Sequence, residues 1–379
     1  MYISAWPSLN LTHFMERRTS RTIPFPLGCS TSTYFYVARN GIYHLMQSLG
    51  SRDRGVVLVP DYHHGNEIYA MKAAGVKLRY YPVRKNLNVD LDAVADLCNF
   101  EPKPFALYVT HFIGWPQPMN EIQGLCREKN LTLIEDCALS FMSTFEGKPL
   151  GTFGSYAVFC LYKTLPVPNG GVLVANNGAN PDGFTLRPCS ALSVGASSME
   201  LILRWIRSRH ERCGRALFAM KRVAGRTLTA TKVRRVPIGD TGFEVSAVNT
   251  AMSQICHTML DRFPYNRIKE TRRRNFRILE DHLRGRVALV DKTLADGMCP
   301  LFFPLLTRDK QTAASALAKR GIESVEFWNS GDPESHRAGS GAEFLRRHLL
   351  EIPIHQDVTP EAAEYTAKEI LRLRLGLPA

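Results

Sequence analysis

The chain has 379 residues, of which 45% are hydrophobic and 22% charged, and its formal net charge is +13. This length exceeds what one core usually contains, so we expect a globular protein with two domains. The absence of a run of about 18 uncharged apolar residues argues against a membrane-spanning helix.

The first residues and the cysteines indicate the cellular compartment. Residues 1–21 lack a basic stretch followed by an apolar stretch and a cleavage site, so we expect a cytoplasmic protein. The nine cysteines are scattered, with no Cys-x-x-Cys pair and no histidine cluster at zinc spacing. This pattern predicts reduced thiols, mostly packed in the interior, and no metal site.

Strands and helices alternate along the first half of the chain. We predict helices over 40–49, 65–74, 91–98 and 120–129, and strands over 55–60, 77–83, 105–112, 131–135, 156–161 and 171–175. Strands separated by helices at this spacing pair in parallel through right-handed crossovers. The predicted fold class is therefore α/β, with a mostly parallel sheet flanked by helices.

The second half of the chain is richer in helices. We predict basic helical structure over 198–231, a long helical stretch over 249–283 interrupted near Pro264, a strand over 299–306, and helices over 310–319 and 360–374. The composition shifts at 286–292. We therefore expect a large α/β domain over 1–257 and a small C-terminal α/β domain over 258–379.

The positive charge is concentrated in one segment. Residues 201–235 contain eleven Lys or Arg against one acid, Glu211, which gives this segment a charge of +10. Such a segment suits a phosphate-rich ligand or an anionic membrane surface, and a solvated helical face is an equal alternative. Nucleic acid is the least favoured partner, because no recognised nucleic-acid module accompanies the charge.

One lysine and one aspartate predict the chemistry. Lys163 follows the apolar run 156–161, and Asp136 ends the strand over 131–135, about 27 residues earlier. Pyridoxal 5'-phosphate needs a lysine that forms a Schiff base and an anion that keeps the ring nitrogen protonated. Ligands of parallel sheets bind beyond the carboxyl ends of the strands, where Asp136 lies. The pair therefore predicts pyridoxal chemistry.

Several blocks of sequence resemble one family in order along most of the chain. They are VARNGIY at 37–43, VPDYHH at 59–64, THFIGWP at 110–116, LIEDCA at 133–138, GKPLGTFG at 147–154, FCLYKT at 159–164 and LEIPIHQ at 350–356. They resemble the sugar aminotransferases of the DegT/DnrJ/EryC1/StrS group. The resemblance implies the fold-type-I architecture of pyridoxal-phosphate enzymes and a homodimer with active sites at the subunit interface.

The resemblance also implies catalytic roles for two residues. Lys163 would hold the cofactor and then transfer a proton as general base and acid. Asp136 would pair with the pyridinium nitrogen. The alternative interpretation of Lys163 is a surface lysine that follows a strand. The alternative interpretation of Asp136 is a helix cap.

Further residues are expected to bind the cofactor. Arg39, Asn40 and Gly41 open a helix whose amides and dipole can hold the phosphate, although Asn40 can also be a simple N-cap. Cys160 stands where the family commonly has a phosphate-binding serine, and core packing is its alternative role. His64 aligns best with the family's aromatic residue that stacks on the cofactor ring.

Three other residues complete the predicted site. Tyr62 is the second choice for stacking on the ring. His111 and Trp115 lie on the turn that precedes the acidic strand, where they can border the substrate or pack in the core.

The sequence departs from the family at two positions. Leu139 stands where the family usually has Gln or His against the ring oxygen of the cofactor. Glu244 lies where an aromatic-Asn-aromatic-Arg segment typically reaches the phosphate in the neighbouring subunit. A carboxylate cannot help to bind an anion. The sequence therefore leaves two alternatives: either the basic segment 201–235 supplies the contact to the phosphate, or the site has been remodelled for another acceptor.

These features predict a pyridoxal-phosphate aminotransferase that moves an amino group from glutamate or glutamine to a keto sugar, most simply a nucleotide-linked one. One alternative is another fold-type-I reaction on a non-sugar or antibiotic-precursor substrate. The other is a non-catalytic, membrane-associated homologue that presents Trp205, Ile206, Leu217 and Phe218 to lipid.

Overall fold

The fold is known from a computed structural model, which describes residues 1–10, 23–50, 55–177, 181, 183–230, 242–337 and 339–379. Of residues 221–230, 336, 337 and 340 only the backbone is described. Residues 231–241, which include the predicted basic residues Lys232, Arg234 and Arg235, lie outside the described part.

A seven-stranded sheet forms the centre of the larger part of the molecule. The first nine strands are β1 Ser32–Phe35, β2 Val56–Pro60, β3 Lys77–Tyr81, β4 Pro104–Thr110, β5 Thr132–Asp136, β6 Thr144–Phe145, β7 Lys148–Pro149, β8 Tyr156–Cys160 and β9 Gly171–Ala175. Seven of them form the sheet in the order β1-β9-β8-β5-β4-β2-β3, while β6 and β7 form a separate short hairpin. The pairs from β3 to β8 are parallel, as predicted.

Two strands depart from the predicted parallel pattern. β9 pairs antiparallel with β8, and β1 pairs antiparallel with β9. The link between β8 and β9 contains ten residues, 161–170, and a parallel crossover needs about a dozen or more. The four-residue β1 was not predicted, because its polar-aromatic sequence, Ser-Thr-Tyr-Phe, does not alternate between apolar and polar residues.

Helices cover the sheet and extend into a hairpin. The first nine are α1 Ala38–Ser48, α2 Asn66–Ala73, α3 Leu91–Leu97, α4 Met119–Glu128, α5 Leu161–Thr164, α6 Ala191–Arg209, α7 Glu211–Ala230, α8 Gln254–Leu260 and α9 Tyr265–Leu283. Within the hairpin, α6 and α7 pack closely where Gly214 meets Arg207. The predicted break at Pro264 is confirmed, because Pro264 is the N-cap of α9.

A two-stranded sheet lies in the C-terminal part of the chain. β10 Phe302–Leu306 pairs antiparallel with β11 Leu349–Pro353, and the helices here are α10 Lys310–Ala318, α11 Ser340–His348 and α12 Pro360–Arg372. Thr359 caps α12 by accepting a hydrogen bond from the Ala362 N–H. The small sheet is built from residues after the predicted domain boundary at residue 258, while α8 crosses that boundary, and the boundary itself stays a prediction.

The α6–α7 hairpin does not present a uniformly apolar surface. Of the four apolar residues expected to face lipid, Leu217 is exposed, whereas Trp205, Ile206 and Phe218 are partly buried. None of the helices in the described part of the chain combines the length and apolar character that a membrane crossing requires.

Candidate active site

Asp136 is the last residue of β5 and lies among the ends of three neighbouring strands. The sheet register sets it beside Thr110 of β4 and Val158 of β8. Its Oδ1 accepts a hydrogen bond of 2.9 Å from the Ala138 N–H. Burial raises the pKa of this carboxyl, and the charge of Glu67 raises it further.

Lys163 enters the same region from the neighbouring strand. It lies on α5, which follows β8 directly, and its Nζ is 5.5 Å from the centre of the Phe327 ring. The positive charge of Lys163 acts to lower the pKa of Asp136, which places the amine within electrostatic range of the carboxyl. The two residues that predicted the chemistry therefore lie in the same region of the fold.

Both residues line one cavity of about 1220 Å³. Ligand pockets usually measure about 300–1,000 Å³, so this volume admits a cofactor together with a second molecule. The wall also includes aromatic, charged and apolar side chains from several elements, namely Trp6, Arg39, His64, Glu67, Leu139, Cys160, Glu200, Arg204, Glu323, Glu326, Phe327 and Trp328.

The start of α1 forms part of this wall. Val37, Ala38, Arg39 and Ile42 line the cavity, and the first turn of the helix contains no acid. The helix N-terminus and the Arg39 side chain together suit an anion. Cys160, whose pKa is raised by burial, also lines the wall.

Asn40 and Gly41, whose backbone amides are also predicted to hold the phosphate, have side-chain positions that contact the protein. The Asn40 side chain donates a 3.0 Å hydrogen bond to the Ala247 carbonyl. A Cβ atom on Gly41 would lie 3.2 Å from Leu173 and from Phe35, so glycine lets α1 pack against the sheet. Their side-chain positions face the protein rather than the cavity wall.

His64 lies on the cavity wall, whereas Tyr62 does not. The His64 N–H donates a 2.9 Å hydrogen bond to Oε1 of Glu67, the second residue of α2. Tyr62 is buried and packs against Trp328, with ring centres 4.8 Å apart. Of the two residues predicted to stack on the ring, the structure brings His64 to the cavity.

His111 lies outside the cavity wall, and both of its ring nitrogens are hydrogen-bonded. Its Nδ1 accepts from the Gln117 N–H at 3.1 Å, so the ring proton is on Nε2, which donates to Glu135 at 3.1 Å. The carboxylate of Glu135 also accepts from the N–H groups of Gly151, Phe153 and Gly154.

This network explains a group that resembles a metal site. His111, Glu135 and Cys137 have potential ligand atoms within 4.8 Å of one another. Both nitrogens of the imidazole and both oxygens of the carboxylate already have partners, and burial raises the pKa of the Cys137 thiol. Glu135 thereby holds the backbone of residues 151–154, which leads into β8, and His111 holds the Gln117 N–H.

Trp115 is likewise part of the core. Its Nε1 donates a 2.9 Å hydrogen bond to the Thr293 carbonyl, and its ring packs edge-on against Phe276. The predicted substrate role of His111 and Trp115 has no support in this geometry, because both residues lie away from the cavity wall.

The two departures from the family pattern have different surroundings. Leu139 is buried and lines the cavity. Glu244 is exposed beside the turn Val245–Ala247 and lies away from the cavity wall. From the basic segment, Arg204 of α6 reaches the wall, where its guanidinium pairs with Glu200 at 2.7 Å.

The sequence did not predict that Glu67, Phe327 and Trp328 line the cavity. Glu67 had a possible signal, because it opens a helix directly after the β2 end and so lies at the same sheet edge as Asp136. Phe327 and Trp328 come from a loop about 160 residues beyond Lys163, and nothing local in the sequence marks them as neighbours of the lysine.

Residues 38–215 match the model of the DegT/DnrJ/EryC1/StrS aminotransferase family. The matched segment, just under half of the chain, is similar to this family. Lys163 and Asp136 both lie within it. The predicted resemblance to the family is therefore confirmed over this segment.

Curated proteins that are similar to this chain match over shorter stretches. The GDP-perosamine synthase of Escherichia coli O157:H7 is 39% identical over 77 residues, which is 20% of this chain and 21% of the relative. The dTDP-4-dehydro-2,3,6-trideoxy-D-glucose 4-aminotransferase of Saccharopolyspora spinosa is 38% identical over 93 residues, 24% of each chain. The matched stretches thus span about a quarter or less of these two relatives' length.

Solved structures extend the likeness to the whole fold. Helicobacter pylori PseC, an aminotransferase involved in the biosynthesis of pseudoaminic acid, superimposes with a TM-score of 0.67 at 14% identity over 98% of both chains. A sugar aminotransferase from Micromonospora echinospora gives a TM-score of 0.61 at 19% identity, over 90% of this chain and 87% of that one. The predicted fold-type-I architecture is therefore confirmed.

Proposed function

We propose that this protein is a pyridoxal-phosphate-dependent aminotransferase that passes an amino group from glutamate or glutamine to a keto sugar. The observation that carries the proposal is that Lys163 and Asp136 line one cavity, with the start of α1 and Arg39 on the same wall. An amine, a carboxylate and an anion-binding helix end are what a phosphorylated pyridine aldehyde requires.

Each side chain on the cavity wall has a separate proposed role toward the cofactor. The bound cofactor supplies an electron-accepting ring that carries the amino group between the two half-reactions. Lys163 would hold the cofactor through Nζ and would move a proton as general base and acid. Asp136 would keep the ring nitrogen protonated, Arg39 and the α1 amides would hold the phosphate, and His64 would supply a flat group beside the ring.

Relatives support the class of acceptor. The names of the E. coli and S. spinosa relatives describe enzymes of GDP-linked and dTDP-linked sugars. They favour a nucleotide-linked keto sugar for this chain too, and the family favours a homodimer with shared sites. Leu139 on the cavity wall is the feature that favours the alternative, another pyridoxal reaction on a non-sugar substrate.

The proposal is tested by following the absorbance of the protein loaded with pyridoxal 5'-phosphate. We expect a band from the lysine-bound cofactor that glutamate or glutamine bleaches, with release of the corresponding oxo acid. Lys163→Ala should lose the band, and Lys148→Ala, which changes an exposed lysine on β7, should keep it. A loaded protein whose band is unchanged by every amino donor would refute transamination.

A further inference from the structure

Glu67 is a charged residue on the cavity wall to which the proposed function assigns no role. It is the second residue of α2, which the short link 61–65 joins to β2. In the sheet, β2 lies next to β4, and β4 lies next to β5, which ends at Asp136. The start of α2 and the Asp136 carboxyl therefore lie at the same edge of the sheet.

The Glu67 carboxylate closes the turn that carries His64. Its Oε1 accepts the 2.9 Å hydrogen bond from the His64 N–H. The N-cap of α2 is Gly65, which has a φ of 108° and makes no side-chain cap hydrogen bond. Glycine adopts this backbone conformation readily, but it has no side chain that could accept a hydrogen bond. Glu67 thus provides the acceptor that Gly65 lacks, and it holds the His64 backbone beside the cavity.

The charge of Glu67 reaches two of the groups that are proposed to act on the cofactor ring. Burial acts to raise the pKa of Glu67, but the neighbouring imidazoles of His64 and His63 act to lower it, and the net shift is downward. Glu67 is therefore ionised at neutral pH. Its negative charge is the second cause, after burial, of the raised pKa of Asp136, and the charge of Lys163 opposes it.

The other ionisable groups that face Glu67 are two phenols and an imidazole. Burial is the main cause that raises the pKa of Tyr80 on β3 and of Tyr108 on β4, and the charge of Glu67 adds to both shifts. Burial also lowers the pKa of His63 to about 4. All three groups are therefore uncharged at neutral pH, and none of them can replace the negative charge of Glu67 near Asp136.

We propose that Glu67 is a positioning residue: it holds His64 beside the cofactor ring through the His64 N–H, and its negative charge faces Asp136. The inference rests on the proposed function, because it takes His64 and Asp136 as the groups that act on the ring. The two effects of Glu67 can be separated. The hydrogen bond needs only an acceptor oxygen, which glutamine also has, whereas the effect on Asp136 needs the charge.

The hydrogen bond is tested by comparing Glu67→Gln with Glu67→Ala, since both changes remove the charge and only Gln keeps an acceptor. Absorbance titration with pyridoxal 5'-phosphate measures the affinity, and circular dichroism shows whether each variant is folded. We expect Glu67→Ala to bind the cofactor about threefold to tenfold more weakly than Glu67→Gln. In a His64→Ala background the two changes should give equal affinities, because the side chain that Glu67 positions is gone.

The charge is tested by the pH dependence of the same affinity. Loss of the negative charge favours the ionised form of Asp136, so the affinity of Glu67→Gln should fall at a lower pH than that of the unsubstituted protein. Glu121→Gln is the matched control, because Glu121 is an exposed acid in the first turn of α4. It should keep the pH dependence of the unsubstituted protein.

Three results would overturn the inference. They are equal affinities of folded Glu67→Ala and Glu67→Gln, a difference that persists without His64, and a pH dependence of Glu67→Gln that matches the control. If Glu67→Ala does not fold, the pH dependence of Glu67→Gln decides. An unsubstituted protein that does not bind the cofactor counts against the proposed function, whereas a protein that glutamate bleaches but that gives one of the three results contradicts the role of Glu67 alone.

Discussion

At the scale of single residues, the electrostatics of Asp136 bear on its proposed role in cofactor binding. Burial is the main cause that raises its pKa, and the Ala138 N–H and the Lys163 charge oppose this rise. The ionised carboxyl is the form that pairs with a protonated ring nitrogen. Because the pKa is raised, this form is lost at a higher pH than it would be for an exposed aspartate.

We therefore predict that affinity for pyridoxal 5'-phosphate falls as the pH is lowered through the raised pKa of Asp136. Asp136→Asn should bind the cofactor about ten- to a hundredfold more weakly at neutral pH, because a charge-assisted hydrogen bond contributes about 1.5–3 kcal/mol. The difference between the two proteins should shrink with falling pH. Absorbance titrations from pH 5 to 9 measure it, with Asp92→Asn as an exposed control. Equal affinities at neutral pH would contradict the assignment.

Sequence alone predicted the residues that lie at the ends of strong local patterns. Lys163 and Asp136 follow buried apolar runs, and His64 follows the β2 end, so a strand assignment was enough to bring them to one sheet edge. Phe327 reaches the cavity through the pairing of distant strands and through buried contacts with Glu351. Such contacts have no local sequence signal.

At the scale of elements, the α6–α7 hairpin depends on one close contact. A Cβ atom on Gly214 would lie 2.3 Å from the Arg207 Cα, which is too close without movement of a helix. The hairpin matters to the site because α6 carries Arg204 to the cavity wall and Arg207 to Glu323. A small residue in α7 thus sets the position of one wall.

We predict that Gly214→Ala lowers the free energy of unfolding by about 1–3 kcal/mol, because the added methyl group overpacks the helix contact. Gly195→Ala is the matched control on α6, since its Cβ would meet nothing within 4 Å. That change should be neutral or should stabilise by up to about 1 kcal/mol through helix propensity. Urea unfolding measures both, and a Gly214→Ala protein as stable as the control would show that the helices do not approach this closely.

At the scale of the whole molecule, buried Arg272 of α9 joins the lysine to the C-terminal part of the chain. Its guanidinium donates to the Leu301 carbonyl at 2.8 Å, just before β10, and to the Thr164 carbonyl at 3.1 Å, at the end of α5. Thr164 follows Lys163 directly. The same arginine therefore contacts both the end of the helix that carries Lys163 and the residue before the small sheet.

We expect Arg272→Ala to lower the free energy of unfolding by about 3 kcal/mol or more, because two hydrogen bonds from a charged group are lost and both carbonyls lose a donor. Arg277→Ala, an exposed change on the same helix, should alter it by less than about 0.5 kcal/mol. Thermal and urea unfolding compare the two proteins. Similar losses in both would show that Arg272 does not link the two parts.

Chemical trapping reveals whether Lys163 binds the cofactor covalently. The protein loaded with pyridoxal 5'-phosphate is reduced with borohydride, digested and analysed by mass spectrometry. We expect a phosphopyridoxyl group on the peptide that contains Lys163, and no such group in the Lys163→Ala protein. A group found on another lysine, or a cofactor that stays bound without a covalent link, would refute covalent binding by Lys163.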